Sequence, residues 1–258
     1  MPCAEEAIDA MLIDKAFGDA GSTIVIEERL SGPEFSLLTL CSDGEFLSLP
    51  VAQDYKRALD HDRGPNTGGM GTYSPVSLVT PDIVLETERR VVKPLLETLA
   101  AMGISYRGVL FSGLMIHRGE VRCLEFNVRF GDPETQSVVK RLGSGFARAL
   151  KACAEGLSIP TIEVRDNAVV SVVLASGGYP GAYQKGKPIT IGALPEGVTA
   201  FHAGTTMKEG ALVTNGGRVA AITATAPTIA AARELAYSAV SAFEFEGKHL
   251  RRDIAAGA

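Results

Sequence analysis

The sequence predicts an α+β fold in two parts, residues 1–158 and 159–258. In the first part, two pairs of apolar segments are each joined by a short glycine-containing turn, the pattern of β-hairpins. In the second part, short strands with glycine turns precede one long amphipathic helix, which predicts a small unit of mixed strands and a helix. The change of character places the boundary between the parts near 157–166.

The individual elements follow from hydrophobic period, turn residues and caps. The predicted helices cover residues 4–17, 81–102 with an interruption at Pro94, 134–142, 146–155 and 228–243. The predicted strands cover residues 22–28, 34–41, 46–52, 108–116, 120–128 and 168–175, with further short strands up to 226. Apolar residues almost vanish over 54–73, which predicts a long loop, and loops of this length inside compact domains are typically functional or disordered.

Composition excludes several classes of function. The net charge is -5, and the absence of any longer basic run than Arg251–Arg252 argues against a nucleic-acid footprint. No apolar segment approaches the roughly 18 residues of a membrane span, and the acidic N-terminus does not resemble a signal peptide, so we expect a cytoplasmic protein acting on small molecules. The cysteines, which lack metal or disulfide spacing, are expected to be reduced core thiols. They are Cys3, Cys41, Cys123 and Cys153.

The segment 124–134, Leu-Glu-Phe-Asn-Val-Arg-Phe-Gly-Asp-Pro-Glu, carries the clearest chemical signal. In a strand, Glu125, Asn127 and Arg129 share one face, while the intervening apolar residues would fill the other face of a buried strand. A carboxylate and an amide oxygen suit a hard cation such as Mg²⁺ that also binds substrate phosphates, and an arginine can hold phosphate or carboxylate. An edge strand with a solvated polar face is the alternative interpretation.

Two other segments suggest nucleotide chemistry less strongly. The strand predicted from residue 22 runs into acids and a Gly-Pro turn, so it could offer backbone groups to a purine edge, with Glu34 accepting from ribose hydroxyls. The alternative is an ordinary strand end. The glycine-rich loop 64–71, with Lys56 and Arg57 nearby, could bind an anion or close as a lid, although it fails the P-loop pattern; a mobile solvated loop is the alternative.

Together these segments resemble the ATP-grasp ligases, and among them the phosphoribosylamine–glycine ligase family. Two blocks are highly specific in combination: 124–134, and Gly-Pro-Asn-Thr-Gly-Gly-Met-Gly at 64–71. The resemblance covers nearly the whole chain in the family's order. Its segments are 26–34, 53–57, 64–71, 73–75, 124–134, 177–181, 201–205 and 215–219.

The resemblance implies an ATP-grasp fold and an ATP-dependent ligase of purine biosynthesis. In this family the carboxylate of glycine attacks the γ-phosphate of ATP, and the amine of 5-phosphoribosylamine then displaces phosphate from the acyl phosphate. ATP and Mg²⁺ or Mn²⁺ are the implied cofactors, and fusion to other purine-pathway domains is possible in the natural polypeptide. The implied residues are Glu27, Glu28 and Leu30 at the adenine hinge, Glu34 at ribose, Gly68 and Gly69 at the nucleotide, Glu125 and Asn127 at the metal, and Lys56, Arg57, Arg129, Asp132 and Glu134 in catalysis.

Two departures from the family pattern accompany the resemblance. The strand segment 110–114 lacks the additional metal-binding acid of many ATP-grasp enzymes, which leaves a thin metal site. The family also has a longer N-terminal portion, so we expect this chain to bind ATP with little turnover by itself and to self-associate through apolar residues 24–26 and 37–40. The alternatives are another ATP-grasp ligase or carboxylase, or a nucleotide-binding module without catalysis.

Overall fold

The computed structural model describes residues 4–258. It confirms the predicted α+β class, with helices and antiparallel sheets. The chain divides into two compact units, residues 1–31 and 32–258, and each is described by itself below. No helix among residues 4–258 is long and apolar enough to cross a membrane. The prediction for Cys3 lies outside the described residues.

The first unit is helical at its start. Helix α1 (Ala4–Ile8) continues as a π-helical turn (Asp9–Ile13), and a 3-10 turn (Gly18–Ser22) follows. The strand predicted over 22–28 is wrong, although Thr23 is extended. A β-branched run becomes a strand only when a neighbour takes its backbone hydrogen bonds, and within residues 4–258 this run forms no ladder.

The second unit contains the remaining elements. Its strands are β1 (Glu34–Ser42), β2 (Glu45–Ser48), β3 (Gln53–Asp54), β4 (Arg57–Leu59), β5 (Arg63–Asn66), β6 (Gly71–Ser74), β7 (Arg107–His117), β8 (Glu120–Asn127), β9 (Ala168–Ser176), β10 (Thr190–Ile191), β11 (Val198–His202), β12 (Thr205–Lys208), β13 (Ala211–Thr214), β14 (Arg218–Ala226), β15 (Phe243–Glu244) and β16 (Lys248–His249). Its helices are α2 (Pro81–Thr87), α3 (Lys93–Ala101), α4 (Glu134–Val139), α5 (Phe146–Glu155) and α6 (Ile229–Ala239), with a π-helical turn (Glu88–Val92) between α2 and α3.

The first sheet has the strand order β2-β1-β7-β8 and is built from the two predicted hairpins. Both of its faces are covered near β1, which explains the continuous apolar run of that strand. Leu37 packs into one core cluster and Leu38 into another on the opposite face, with exposed fractions of 0% and 1%. The expectation that residues 37–40 expose apolar surface is therefore wrong, because these side chains form the interior of the second unit.

The second sheet has the order β11-β14-β9-β6-β3, and β16 also pairs with β9. Strands β3 to β6 correct the prediction of one long loop over 54–73. These strands are short and polar, and β6 obtains its hydrogen bonds from the distant strand β9, so the local sequence gives little sign of them. The pairing is antiparallel throughout the described residues, where a mixture of strands was expected. The division at residue 158 stays a prediction, since this sheet uses strands from both predicted parts.

Local signals set several element ends. Asp43 and Gly44 have φ values of 48° and 98°, so the β1–β2 turn needs the left-handed conformation that glycine favours. Helix α6 begins after Thr228, whose side chain accepts the N–H of Ala231. The helix predicted over 81–102 is broken by the π-helical turn ahead of Pro94.

The thiols follow the prediction in part. Cys41 and Cys153 are free and buried, and burial raises the pKa of Cys41 to about 12. Cys123 is exposed, which corrects its assignment to the core. Its strand β8 lies at the edge of the first sheet, where fewer neighbours cover the side chains.

Candidate active site

A cleft of about 380 Å³ opens in the second unit between β1, the segment around β4 and β5, and the exit of β8. Ten of the residues proposed from the sequence belong to this unit, and eight of those line the cleft. Those eight are Glu34, Lys56, Gly68, Glu125, Asn127, Arg129, Asp132 and Glu134. Arg57 and Gly69 do not line this cleft, whereas Ser36, Asp54, Asn66 and Thr67, which the sequence did not single out, do.

One wall of the cleft is the end of β8. Gly113 of β7 pairs with Glu125 and Leu114 with Cys123, so Leu124 is an extra residue that forms a β-bulge. Bulges redirect side chains and are common beside active sites. As a result, Leu124 and Glu125 both face the cleft, followed by Asn127.

The strand that carries this wall is not buried, which corrects the sequence-based expectation. Strand β8 is an edge strand with β7 as its neighbour. Leu124, Phe126 and Val128 are 36%, 41% and 74% exposed, because no further strand of the described sheet covers them. The polar face predicted for this strand nevertheless lies where expected, on the cleft.

Glu125 and Asn127 offer oxygen atoms to a cation. The amide nitrogen of Asn127 donates to Oε1 of Glu125 at 3.3 Å, which orients the two side chains together. Hard cations such as Mg²⁺ prefer carboxylate and amide oxygens and take further ligands from phosphates and water. The pair therefore fits Mg²⁺ held partly by a nucleotide, and residues 4–258 contain no cluster of three or more acidic, histidine or cysteine ligands.

The opposite wall contains two buried acids and one lysine. The side chain of Asp54 is 3% exposed, and its Oδ2 accepts a hydrogen bond from Nζ of Lys56 at 2.9 Å. Glu134 is also 3% exposed, and its Oε1 accepts from the hydroxyl of Ser36 at 3.2 Å. We call Asp54, Lys56 and Glu134 the cleft cluster.

Burial determines the protonation of the cleft cluster. It raises the pKa of Asp54 to about 7, and the charge of Glu134 acts in the same direction, against the opposing effect of Lys56. Burial also raises the pKa of Glu134. For Lys56, burial opposes the charged form, but the charge and hydrogen bond of Asp54 outweigh it and the pKa is raised. The cluster thus holds a charged lysine beside two carboxyls whose pKa values are raised.

The glycine-rich loop is ordered by contacts that use its own N–H groups. The N–H of Thr67 donates to the carbonyl of Lys56, and that of Gly69 donates to the Thr67 hydroxyl. The N–H of Gly68 donates to the Tyr179 hydroxyl at 3.0 Å. These N–H groups are occupied within the protein, so the assignment of Gly68 and Gly69 to the nucleotide stays a prediction.

Gly69 has a steric reason to be glycine. Its φ is +114°, and a Cβ there would lie 2.4 Å from Cδ of Pro133 and 2.6 Å from Oδ1 of Asp54. A larger residue would therefore disturb both the buried acid and the turn after β8. The absence of a side chain at Gly69 therefore lets the glycine-rich loop pack against Asp54 and Pro133.

Other predicted residues lie outside this cleft. Arg57 lines an adjacent cleft of about 310 Å³, which shares four residues with the first: Glu34, Asp54, Lys56 and Asn66. Glu27, Glu28 and Leu30 belong to the first unit, and their assignment to the adenine hinge stays a prediction.

The sequence reasoning missed several residues at the site. Asp54 stands two positions before Lys56, so an extended segment would place both on one face, and this spacing was a usable signal. Ser36 contacts Glu134 across 98 positions of the chain, and the local sequence carries no sign of that contact. Tyr179 and Arg218, which hold Gly68, come from the C-terminal half and are equally remote.

Two family models match most of the chain. Residues 2–135 match "Phosphoribosylglycinamide synthetase, ATP-grasp (A) domain", and residues 169–257 match "Phosphoribosylglycinamide synthetase, C domain". A phosphoribosylamine–glycine ligase from Chlorobaculum tepidum is 46% identical over 99% of this chain and 61% of its own length. A bifunctional purine biosynthetic protein from Schizosaccharomyces pombe is 43% identical over 98% of this chain and 32% of its own length.

Solved structures place the fold in the same group. The phosphoribosylamine–glycine ligase of Thermotoga maritima superposes with a TM-score of 0.81 at 43% identity, covering 88% of this chain and 57% of that one. Biotin carboxylase from Campylobacter jejuni gives a TM-score of 0.67 at 14% identity, over 95% of this chain and 52% of that one, a likeness of fold alone.

These matches confirm the ATP-grasp fold and the family resemblance. The chain spans 61% of the length of the Chlorobaculum tepidum ligase. The chain belongs to the phosphoribosylglycinamide synthetase family.

Proposed function

We propose that this chain provides the nucleotide and metal site of an ATP-dependent ligase that joins glycine to 5-phosphoribosylamine. The products are glycinamide ribonucleotide, ADP and phosphate. The observation that carries the proposal is one cleft that combines the oxygen ligands of β8 with Lys56 and Arg129, in a chain of this family. Glycine, phosphoribosylamine and ATP with Mg²⁺ or Mn²⁺ are the proposed substrates and cofactors, and the cytoplasm is the proposed compartment.

The first proposed step is phosphoryl transfer. A carboxylate oxygen of glycine attacks the γ-phosphorus of ATP, the bond to the bridging oxygen breaks, and ADP leaves. Glu125 and Asn127 would hold Mg²⁺, which when bound supplies positive charge to the phosphates. Lys56 and Arg129 add positive charge on opposite walls, so transferring charge would be stabilised by groups already in place.

The second proposed step forms the amide. The amine nitrogen of phosphoribosylamine attacks the acyl carbon, phosphate leaves, and the nitrogen releases a proton. Glu134 can accept that proton, because its raised pKa brings it closer to the range useful for general-base catalysis. The half-exposed carboxylate of Asp132 also lines the cleft and would orient the amine. No protein nucleophile is required.

A phosphate-release assay tests the proposal. The chain is incubated with ATP and Mg²⁺, with glycine and phosphoribosylamine added separately and together, and glycinamide ribonucleotide is measured directly. Phosphate release that requires both substrates and matches amide formation supports the ligase function. Phosphate release that does not depend on glycine contradicts the proposal. Mg²⁺-dependent ATP binding without amide formation, even when a homologous N-terminal domain is added, also contradicts it.

A further inference from the structure

Arg218, in the C-terminal half of the chain, contacts two residues that line the cleft. It begins β14, where Arg218 pairs with Ala175 and Ala220 with Leu174, so Val219 forms a β-bulge. The bulge gives the arginine a direction that a regular strand would not. Its side chain is 21% exposed.

The guanidinium connects two separate pieces of the cleft wall. Nη1 of Arg218 donates to the carbonyl oxygen of Gly68 and to that of Asp132, each at 2.6 Å, and lies 3.5 Å from Oδ1 of Asp132. Gly68 belongs to the glycine-rich loop, and Asp132 belongs to the turn after β8. Charge-assisted hydrogen bonds of this kind are stronger than neutral ones.

Tyr179 holds the other side of the Gly68 residue. Its hydroxyl accepts the Gly68 N–H at 3.0 Å, while Arg218 takes the carbonyl. The tyrosine ring packs against Gly217, where a Cβ would lie 2.2 Å from the ring. The polar groups of Gly68 are therefore fixed by two side chains from outside the loop.

We propose that Arg218, assisted by Tyr179, is a positioning residue that fixes the glycine-rich loop against the Asp132 turn before substrates bind. The inference rests on the proposed ligase function. Its consequence is that the C-terminal half sets the geometry of the acceptor side of the cleft. Misplacement of a substrate-binding group by about 1 Å can cost roughly 100-fold in rate. Fixing the glycine-rich loop in place before substrates bind therefore favours the reaction.

The test compares Arg218→Ala with Arg233→Ala. Arg233 is a matched control, because it also donates to two backbone carbonyls, those of Ile254 and Arg252, but neither of these residues lines the cleft. We expect Arg218→Ala to lower kcat/KM for phosphoribosylamine by about 10- to 100-fold while the KM for ATP changes little. Arg218→Lys should recover part of the loss. Arg233→Ala should leave kcat/KM unchanged even if it lowers the melting temperature.

Amide hydrogen exchange separates this inference from the proposed function. Exchange at residues 67–69 should accelerate in Arg218→Ala and in Tyr179→Phe, and remain unchanged in Arg233→Ala. If the wild-type chain lacks turnover even with a homologous N-terminal domain added, the ligase proposal fails, but the exchange result still decides whether the loop is held. Unchanged exchange at Gly68, or an equal loss of kcat/KM in Arg218→Ala and Arg233→Ala, would overturn the positioning role.

Discussion

Two clusters in this protein each combine two carboxyl groups with one cation, but they bury opposite members. In the cleft cluster, Asp54 and Glu134 are buried, and Lys56 is 36% exposed. In a second cluster, which we call the C-terminal cluster, Arg251 is the buried member at 1% exposure, and it pairs with Asp62 and Asp253, which are 71% and 17% exposed.

Because of this difference, the pKa values of the acids shift in opposite directions in the two clusters. Burial raises the pKa of the cleft acids. In the C-terminal cluster, burial opposes ionisation of Asp253, but hydrogen bonds from Arg251 and the His61 N–H outweigh it and lower the pKa. Acids that are hard to ionise are typical of functional sites, whereas a satisfied arginine is typical of structural ones. We therefore interpret the cleft cluster as functional and the C-terminal cluster as a structural support.

The C-terminal cluster and the neighbouring His249 contact the segment that carries Lys56. Arg251 donates to the carbonyl of Arg57 at 3.1 Å, and its guanidinium lies 4.9 Å from the ring centroid of Tyr55. His249 contacts the carbonyl of Ala58 at 2.8 Å. The segment that carries Lys56 is therefore anchored by the last residues of the chain.

The largest expected effect is that of removing the buried arginine. Arg251→Met should lower the free energy of unfolding by about 3–5 kcal/mol, because Asp253 loses its partner in a poorly solvated position. Urea denaturation measures this change. The matched control is Arg252→Met, which should change the free energy of unfolding by at most about 0.5 kcal/mol because this side chain is exposed. Equal effects in the two variants would contradict the structural role of Arg251.

Removal of the lysine from the cleft cluster should have a smaller effect. Lys56→Met should lower the free energy of unfolding by roughly 2–3 kcal/mol, less than for a fully buried pair because solvent screens the exposed part of Lys56. Lys93→Met, which removes an exposed partner of Glu97, is the control and should change stability little. Stability that is unaffected by Lys56→Met would show that the buried acids do not depend on it.

Glu34 tests whether the walls around the cleft cluster bind a ligand. Glu34→Ala should weaken ATP binding by about 1–3 kcal/mol, the cost of leaving ribose hydroxyls unpaired, and leave the fold intact. Calorimetric titration measures the affinity, with Glu120→Ala at the far end of β8 as control. Unchanged affinity in Glu34→Ala would remove this residue from the nucleotide site.

The two clusters should respond to pH in opposite directions. Asp54 has a pKa of about 7 when folded against 3.8 as reference, so the folded state binds the extra proton between these values and its ionisation costs stability as pH rises. The advantage of Asp54→Asn over wild type should therefore grow from about pH 4 to pH 7, by at most about 1.4 kcal/mol per pH unit, and level off above pH 7.

For Asp253 the folded pKa is depressed, so its contribution is present above 3.8 and is lost as pH falls below that value. The deficit of Asp253→Asn should therefore be larger at pH 7 than at pH 3. Denaturation curves of both variants across pH measure these trends. Parallel pH dependence in the two variants would remove the contrast between the clusters.

The sequence predicted those features that depend on neighbours in the chain. The hairpins of the first sheet follow from apolar runs and glycine turns, and α5 was predicted with its observed bounds. The polar face of β8 also follows from alternation, but its edge position does not, because that depends on which strands pair. The buried Asp54 lies against Gly69, and the contact of Arg218 with Gly68 spans 150 positions, so neither contact could be seen locally.

The central claim is that β8 presents a metal and nucleotide site, and calorimetric titration of ATP with and without Mg²⁺ tests it most directly. Wild type is compared with Glu125→Gln and with Glu120→Gln, the same substitution in an exposed ion pair of the same strand. We predict that Mg²⁺ strengthens ATP binding in wild type and Glu120→Gln, and that Glu125→Gln loses this gain by roughly 100-fold. Full Mg²⁺-dependent binding in a folded Glu125→Gln variant would contradict the account.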